Sequence, residues 1–468
     1  MADIIWLYDR WHSEGGLMTG RCGSFARGLY RAALLSAVGL SLASPAWATD
    51  QIVYAFKGLA AGSFDPYQPE YGVVKGPDGK LYGTSRENGD GNQSFGKGAV
   101  FQITLRNNHP AIQKVIYKFK GGTRGSLPEG PLVFDSAGNA YGTTPHGGHM
   151  NDCQTQGCGT VFKLSPPVGG TGKWTYTVIH RFTSAGGSSP KGALTFDSAG
   201  NLYGATWYGG GDNYCTGDIG GCGVIYQLSP PSSGVLWDFK VLHKFQHLVG
   251  AVPNGGMIFD QAESALYGTA EGGGTSPLDG VVFKLKRPAP GNNHWAYSDI
   301  YNFVYHNDNA DGSQPQSGLV FDASGNLYGT TQFGGSANCG GGCGIVFKLT
   351  PSGNNWVKSN VHVFTWGNDG RNPFSSLTID GAGNLYGTTS SGGGAFCGVG
   401  CGTVYKLEPN GGSFNYSILH SFQGGANDGS VPHQATLLWD GSTKLYGTTT
   451  AGGAASDQAG TVYSVTLP

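Results

Sequence analysis

One short string, Leu-Tyr-Gly-Thr-Thr with small variations, recurs in this chain around Tyr82, Tyr141, Tyr203, Tyr267, Tyr328, Tyr386 and Tyr446. The intervals of 59, 62, 64, 61, 58 and 60 residues are too regular for chance, and a fixed period of this size marks an array of like supersecondary units. Each of the seven units carries the same four segments in the same order. In the second, Leu132-Val133-Phe134-Asp135 reads as a strand and Ser136 to Asn139 as a turn; Ala140 to Thr144, Thr160 to Leu164 and Trp174 to Phe182 read as three more strands. A meander of four short strands punctuated by Gly, Pro and Asn cannot bury both of its faces alone. Stacking the units face to face supplies the missing burial, so the expected fold is all-β, a seven-bladed β-propeller of four-stranded blades. Composition agrees: 83 of 468 residues are Gly and only 12% are charged, as many tight turns require.

The ends of the chain suggest how the ring closes. The last unit stops after its third strand, Thr461 to Val465, while Ile52-Val53-Tyr54-Ala55-Phe56 matches fourth strands such as Val115 to Phe119 and Ile418 to Phe422. The N-terminal strand is therefore expected to complete the last blade from outside, which leaves no open edge at the seam. That order makes the Leu-x-Phe-Asp strand innermost, lining the central channel.

Residues 1–48 read as a targeting segment. Arg21, Arg27 and Arg31 precede the apolar stretch Ala32 to Ala43, and Ala46-Trp47-Ala48 fits a small-x-small cleavage site, so the mature chain is expected to start at Thr49 and to be secreted or periplasmic. Met18 would open a signal peptide of ordinary length, which makes residues 1–17 an over-extended start; the alternative is a disordered cytosolic leader. Removing residues 1–48 takes away four basic and three acidic side chains, moving the formal charge from −2 to −3, so a nucleic-acid partner is not expected. No apolar run beyond residue 50 approaches the roughly 20 residues of a membrane-spanning helix. Residues 49–468 are expected to be one soluble propeller domain.

The repeated string of a Phe-Asp strand, Gly-Asn-Leu-Tyr-Gly-Thr-Thr, Gly-Gly, Gly-Thr-Val-Phe-Lys-Leu and His-x-Phe resembles the GloVer tandem-repeat family of exported bacterial proteins, with Tyr203-Gly204, Cys222-Gly223, Phe347-Lys348-Leu349 and His420-Ser421-Phe422 at the expected offsets. The resemblance covers about residues 50–468 and implies bacterial export and a repeat architecture, without an active site to transfer. Members often carry a C-terminal anchor. This chain ends at Pro468 directly after the last strand, so release or a periplasmic location is the expectation.

Of nine cysteines, Cys22 leaves with the signal peptide, and the other eight form local pairs: Cys153/Cys158, Cys215/Cys222, Cys339/Cys343 and Cys397/Cys401. Each pair lies between the second and third strands of one blade, just before the Gly that opens the third. Pairing, position and export favour disulfides. Zinc would need four converging ligands, and the gaps vary with no accompanying His, so neither a metal nor a cofactor is expected. His180, His243 and His420 share one repeat position, as do Asp135, Asp197, Asp322 and Asp380, and as do Trp174, Trp237, Trp295 and Trp356. These read as packing histidines, turn-capping carboxylates and blade packing. Asp311, Asp369 and Asp428, each before Gly, lack the oxygen-ligand density of calcium loops and read as turns.

Function in a repeat protein is expected where the blades differ. A Pro precedes the inner strand in every unit, and the residue after it varies: Glu70, Glu129, Lys191, Asn254, Gln316, Phe374 and His433. A second variable site follows the Tyr-Gly-Thr strand: Arg86-Glu87, Pro145-His146, Trp207-Tyr208, Glu271, Gln332-Phe333, Ser390-Ser391 and Thr450-Ala451. Both are expected on one face, around the channel mouth, leaning toward blades one to three. Carboxylates, amides, histidines and aromatic rings together suit a polysaccharide or oligosaccharide, with Trp207 as stacking platform and Glu70 and Glu129 as the leading pair; plain solvated loops are the alternative. As loop-tip residues, Glu70, Glu129, His146, Trp207 and His433 are expected to contribute little to stability.

The leading function is therefore glycan recognition. An enzyme of the same substrate class is the runner-up: Glu70 and Glu129 for hydrolysis, or His146 or His433 with Lys191 or Arg86 for lyase chemistry on a neutralised uronate. A protein-interaction platform is the third reading. Arg86, Trp207, Tyr208, Asn254, Glu271, Gln316 and Phe333 would line the ligand in the first two.

Overall fold

The computed structural model describes residues 49–468 apart from 59–64, 89–95, 154, 212–214, 216–219, 247–249, 275, 277–278, 305–309, 337–338, 395–396, 399 and 454–458. The leader reading lies outside these residues. Seven four-stranded antiparallel sheets stand in a ring as blades one to seven. Blade two runs outward through Val133–Phe134, Ala140–Thr144, Thr160–Ser165 and Thr175–Arg181. Its inner strand is shorter than the sequence suggests because Asp135 turns back: its carboxylate accepts the Ala137 and Asn139 N–H groups and the Tyr141 hydroxyl. Asp197, Asp322 and Asp380 do the same for their blades.

Blade seven takes its outermost strand from the other end of the chain. Thr49–Ala55 pairs antiparallel with Thr461–Thr466, Thr49 opposite Thr466 and Ala55 opposite Thr461. The Phe56 N–H continues the pairing to the Gly460 carbonyl at 3.1 Å, and the Phe56 ring meets Phe101 of blade one edge-on at 5.1 Å.

The repeated string now has a physical reading. Its Leu, replaced by Ala140 in blade two, is buried in every blade, as at Leu81, Leu202 and Leu385. In blades one, two, three, five and six its Tyr donates to the capping Asp. Its Gly leaves room for the third-strand aromatic, so that a Cβ at Gly142 would lie 2.7 Å from the Phe162 ring. Its first Thr ties neighbouring blades, Thr84 Oγ1 donating to the Gly130 carbonyl at 2.9 Å and Thr269 Oγ1 to that of Ser317 at 2.7 Å. Among the described residues the buried apolar side chains fall into seven clusters, each spanning one blade interface; one holds Val161 and Ile179 of blade two with Leu194 and Tyr226 of blade three. The core is thus divided among the interfaces, which lets a chain of this length stay packed.

His180 and His243 stack on Phe239 and Tyr297 of the next blade at 4.1 and 3.9 Å, and burial pushes both down to about 4, so they are neutral packing rings. His420 differs: it lies 3.4 Å from Asp50 and 3.3 Å from Asp428 at the seam. Asp311, Asp369 and Asp428 cap the chain just after strand four, accepting the Val304, Thr365 and Gln423 N–H groups. All four expected disulfides are formed. Among the described residues no helix is long and apolar enough to cross a membrane.

Candidate functional site

The residue before the repeated Pro holds a left-handed backbone in every blade: Gln68, Leu127, Ser189, Val252, Gln314, Asn372 and Val431 all have φ between 52° and 58°. A non-Gly residue in this region costs of order 1–3 kcal/mol unless its surroundings hold it there. They do. Its N–H donates to a carbonyl of the preceding blade, and in most blades its own carbonyl accepts the N–H of the residue after the second strand, as Val252 does from Glu271 at 3.2 Å. The Pro then packs on the Gly that opens the preceding blade's third strand. These glycines have φ between 85° and 99°, and a Cβ at Gly159 would lie 2.5 Å from Pro190 Cδ. Two facing positions are thereby fixed, the residue after Pro and the residue after strand two, and they are the two variable rings of the sequence.

In four blades the accepting carbonyl belongs to a disulfide cysteine. Ser189, Asn372 and Val431 donate to Cys158, Cys343 and Cys401 at 3.0, 2.9 and 2.8 Å, and Val252 donates to Cys222 at 2.9 Å. Each disulfide thus steadies the mouth residue of the next blade, here Lys191, Phe374, His433 and Asn254. Closing so short a loop stabilises by only ~2 kcal/mol on chain-entropy grounds, so the larger consequence is positional. Non-reduced peptide mapping should recover the four pairs. Replacing one pair by serines should cost only about 2 kcal/mol in chemical denaturation, and a loss above about 5 kcal/mol would contradict this.

The side chains form one connected arc. Glu129 is 6% exposed and bridges its neighbours, with Arg86 Nε at 3.3 Å from blade one and Lys191 Nζ at 2.9 Å from blade three. The Lys191 ammonium also sits 3.5 Å from the Trp207 ring centre. Farther along, Gln316 donates to Gln332 at 2.7 Å and bonds Glu271, whose Oε2 is buried without a hydrogen-bond partner. Asn254 is buried on blade four. On blades six and seven Phe374 and His433 are in ring contact at 4.5 Å.

Burial alone would raise Glu129, yet the Lys191 and Arg86 charges hold it below the usual carboxylate range. Glu70 is pushed up to about 7, first by burial and then by the Glu129 charge; burial takes Glu271 to about 7 as well. Lys191 is the cation whose field reaches Glu70, Glu129 and Glu271 together. The arc therefore holds Glu129 ionised between two cations, Glu70 and Glu271 pushed up to about 7, and Glu87 also raised by burial beside Arg86.

A raised carboxyl contributes stability that is complete below its unfolded value, near 4.5, and is lost as pH climbs through the folded value near 7. His180 and His243 act oppositely, since their stabilisation is lost as pH falls from 6.5 toward 4. The two effects offset each other in the parent. A Glu70→Gln, Glu271→Gln variant should be more stable than the parent above pH 7, with the gap closing by pH 4.5. Melting curves across this range check it, and a gap independent of pH would contradict it.

Two expectations need correction. Glu129 is not a weakly packed loop tip, because it is buried between two cations. Trp207 is only 8% exposed with Lys191 over its ring, so it is not an open stacking platform. Arg86 and Lys191 are both engaged by Glu129, which disfavours the uronate-neutralising role. His146 lies close enough to Glu129 to be felt electrostatically. Glu87, paired in backbone register with Tyr67, interacts with Arg86 and Glu70 and so joins the arc, whereas Phe333 and Tyr208 pair in backbone register with Ser313 and Ser188. The left-handed anchors were not apparent from sequence; their only signal is that each precedes a Pro.

The sequence model of the Gloeobacter/Verrucomicrobia repeat matches residues 43–276 and again 215–463. No curated protein sequence matches the chain. Among solved structures, a putative 6-phosphogluconolactonase from Bacteroides uniformis is 13% identical, covering 79% of this chain and 88% of its own, with a TM-score of 0.46. A periplasmic gluconolactonase from Pseudomonas aeruginosa is 14% identical, with 76% and 85% covered and a TM-score of 0.45. A fungal alcohol oxidase in complex with copper is 13% identical, with 87% and 75% covered and a TM-score of 0.48.

Proposed function

Because the chain belongs to the Gloeobacter/Verrucomicrobia repeat family, its site must be built by variation on a ring of like blades, and we propose that it is an exported propeller that recognises a polysaccharide or oligosaccharide at the channel mouth. The observation that carries this reading is the arc from Arg86 through Glu129 and Lys191 to Glu271, Gln316 and Gln332. Fixed carboxyl and amide groups with two-sided hydrogen bonding suit the paired hydroxyls of a sugar, and a buried carboxyl oxygen without a partner at Glu271 suits a donor from a ligand. Four disulfides in a chain of this kind fit an oxidising compartment, in keeping with residues 1–48 as a leader cleaved after Ala48.

One observation favours a glycoside hydrolase on the same residues. Glu70 and Glu129 sit on neighbouring blades with protonation pushed apart, Glu70 up to about 7 and Glu129 down. That split assigns acid and base roles in carboxylate pairs. Protein starting at Thr49 should be tested against a polysaccharide panel, reading retention and new reducing or unsaturated ends. Retention alone, lost in Glu129→Gln, supports recognition. New reducing ends, lost in Glu70→Gln, promote the hydrolase. Neither retention nor cleavage across the panel would remove both.

A further inference from the structure

At the end of the ring opposite the mouth, the blade interfaces repeat one constellation. The Tyr bonded to the capping Asp meets an inner-strand aromatic and a strand-four Trp of the next blade edge-on: Tyr141 with Phe196 and Trp237 at 5.3 and 5.6 Å, Tyr203 with Phe259 and Trp295 at 5.1 and 5.8 Å. Between blades three and four the slot is filled from within. Arg287 reaches in from blade four, its guanidinium 3.3 Å from Asp197 and 5.2 and 5.3 Å from the Trp295 and Phe259 rings. Trp295 is left only 5% exposed.

Between blades two and three the corresponding place, directly after strand three, is held by exposed Pro230. The slot stays open as a cavity of about 680 Å³, and Trp237 on its wall is half-buried. Pro230, Pro231, Gly234 and Val235 form its outer wall. The charge of the slot is already balanced. Lys163, at the register position where blade three has Gln227, lies 5.7 Å from the Tyr141 ring and interacts with Asp135. A second cation is therefore not called for. The Asp135 carboxylate is already filled by the Ala137 and Asn139 N–H groups, the Asn139 amide and the Tyr141 hydroxyl, so what the slot offers is the Trp237 ring beside the Lys163 ammonium and the Thr177 and Ser165 hydroxyls, in a volume typical of small-molecule sites.

We propose that the slot between blades two and three is a saccharide site, separate from the mouth, that takes a neutral pyranose stacked on Trp237 with its hydroxyls on Lys163, Thr177 and Ser165. The C–H face of such a ring matches the apolar Trp face, and vicinal hydroxyls can accept from the ammonium and exchange hydrogen bonds with the Thr177 and Ser165 hydroxyls.

Saturation-transfer NMR with the methyl pyranosides of glucose, galactose and mannose, and with agmatine as a cationic probe, tests this. Pro230→Arg copies the natural plug into the open slot at an exposed position. Pyranoside signal should fall at least about fivefold in Pro230→Arg and in Trp237→Ala, and persist in Glu129→Gln at a temperature where circular dichroism shows that variant folded. Binding of no pyranoside by the parent, binding of agmatine alone, or a pyranoside signal that survives Pro230→Arg would each overturn the proposal. Loss of signal in Glu129→Gln with no change in Pro230→Arg would assign the binding to the mouth instead. Because Pro230 is exposed, the outcome does not depend on whether Trp237→Ala folds.

Discussion

A chain that starts at Gly58 should not accumulate as a soluble, cooperatively melting protein. Its loss removes the whole outer strand of blade seven, Thr49–Ala55, together with Phe56, and so bares the edge of Thr461–Thr466 along its length. Removing a single buried Phe side chain costs about 3–5 kcal/mol, and whole domains hold only about 5–15 kcal/mol, so the strand and Phe56 together account for most of the stability. An unpaired edge of this kind also recruits other chains. Calorimetry and light scattering should show aggregation or a melting temperature far below the parent, and a peptide of residues 49–57 added in trans should restore part of the difference. A truncated protein melting within about 3 °C of the parent would mean that the strand is not integral to blade seven.

Glu129→Ala should be the most damaging single change at the mouth. Removing one partner from a buried ionic cluster leaves the others uncompensated, at a cost of about 3–5 kcal/mol, and here two cations lose their shared anion. Ligand retention should vanish as well, since Lys191 would no longer be held over Trp207 and beside Glu271. The cause is separable by also changing the cations. An Arg86→Met, Lys191→Met, Glu129→Leu variant should recover most of the stability without recovering retention. Chemical denaturation provides the readout. A Glu129→Ala loss below about 1 kcal/mol would show that the three groups are not a buried cluster.

The blades were legible because a repeat announces its own period, and Tyr82 or Tyr386 needs no neighbour to be recognised. The two variable rings were legible for the same reason, since a position that changes among like blades is visible by contrast. What could not be read was how ring members meet across blades. Arg86, Glu129 and Lys191 are far apart in sequence, and nothing in the string says that their side chains converge rather than splay into solvent. The burial of Trp207 follows from that convergence. The filled slot left a fainter signal: blade three has Gln227 where blades two, four, five and six have Lys163, Lys284, Lys348 and Lys406, as blade one has Gln102 and blade seven Ser464, while blade four carries Arg287 where blades two, three, five and six bring in Pro. A missing Lys in blade three and an added Arg in blade four point to one compensating contact, but only once the geometry shows that they face each other.

The seam also sets an order in time. During synthesis Thr49–Ala55 emerges first and its partner Thr461–Thr466 last, so the earliest strand must wait for nearly the whole chain. Bringing ends this distant together costs about 5 kcal/mol of loop entropy if the intervening chain is flexible, and far less if the other blades have already stacked and carry the ends toward each other. Closure is therefore expected as the slow final event of refolding, after the local hairpins of each blade. Until then residues 49–56 remain available to any other exposed edge, which makes the interval before closure the one in which two chains can exchange their first strands.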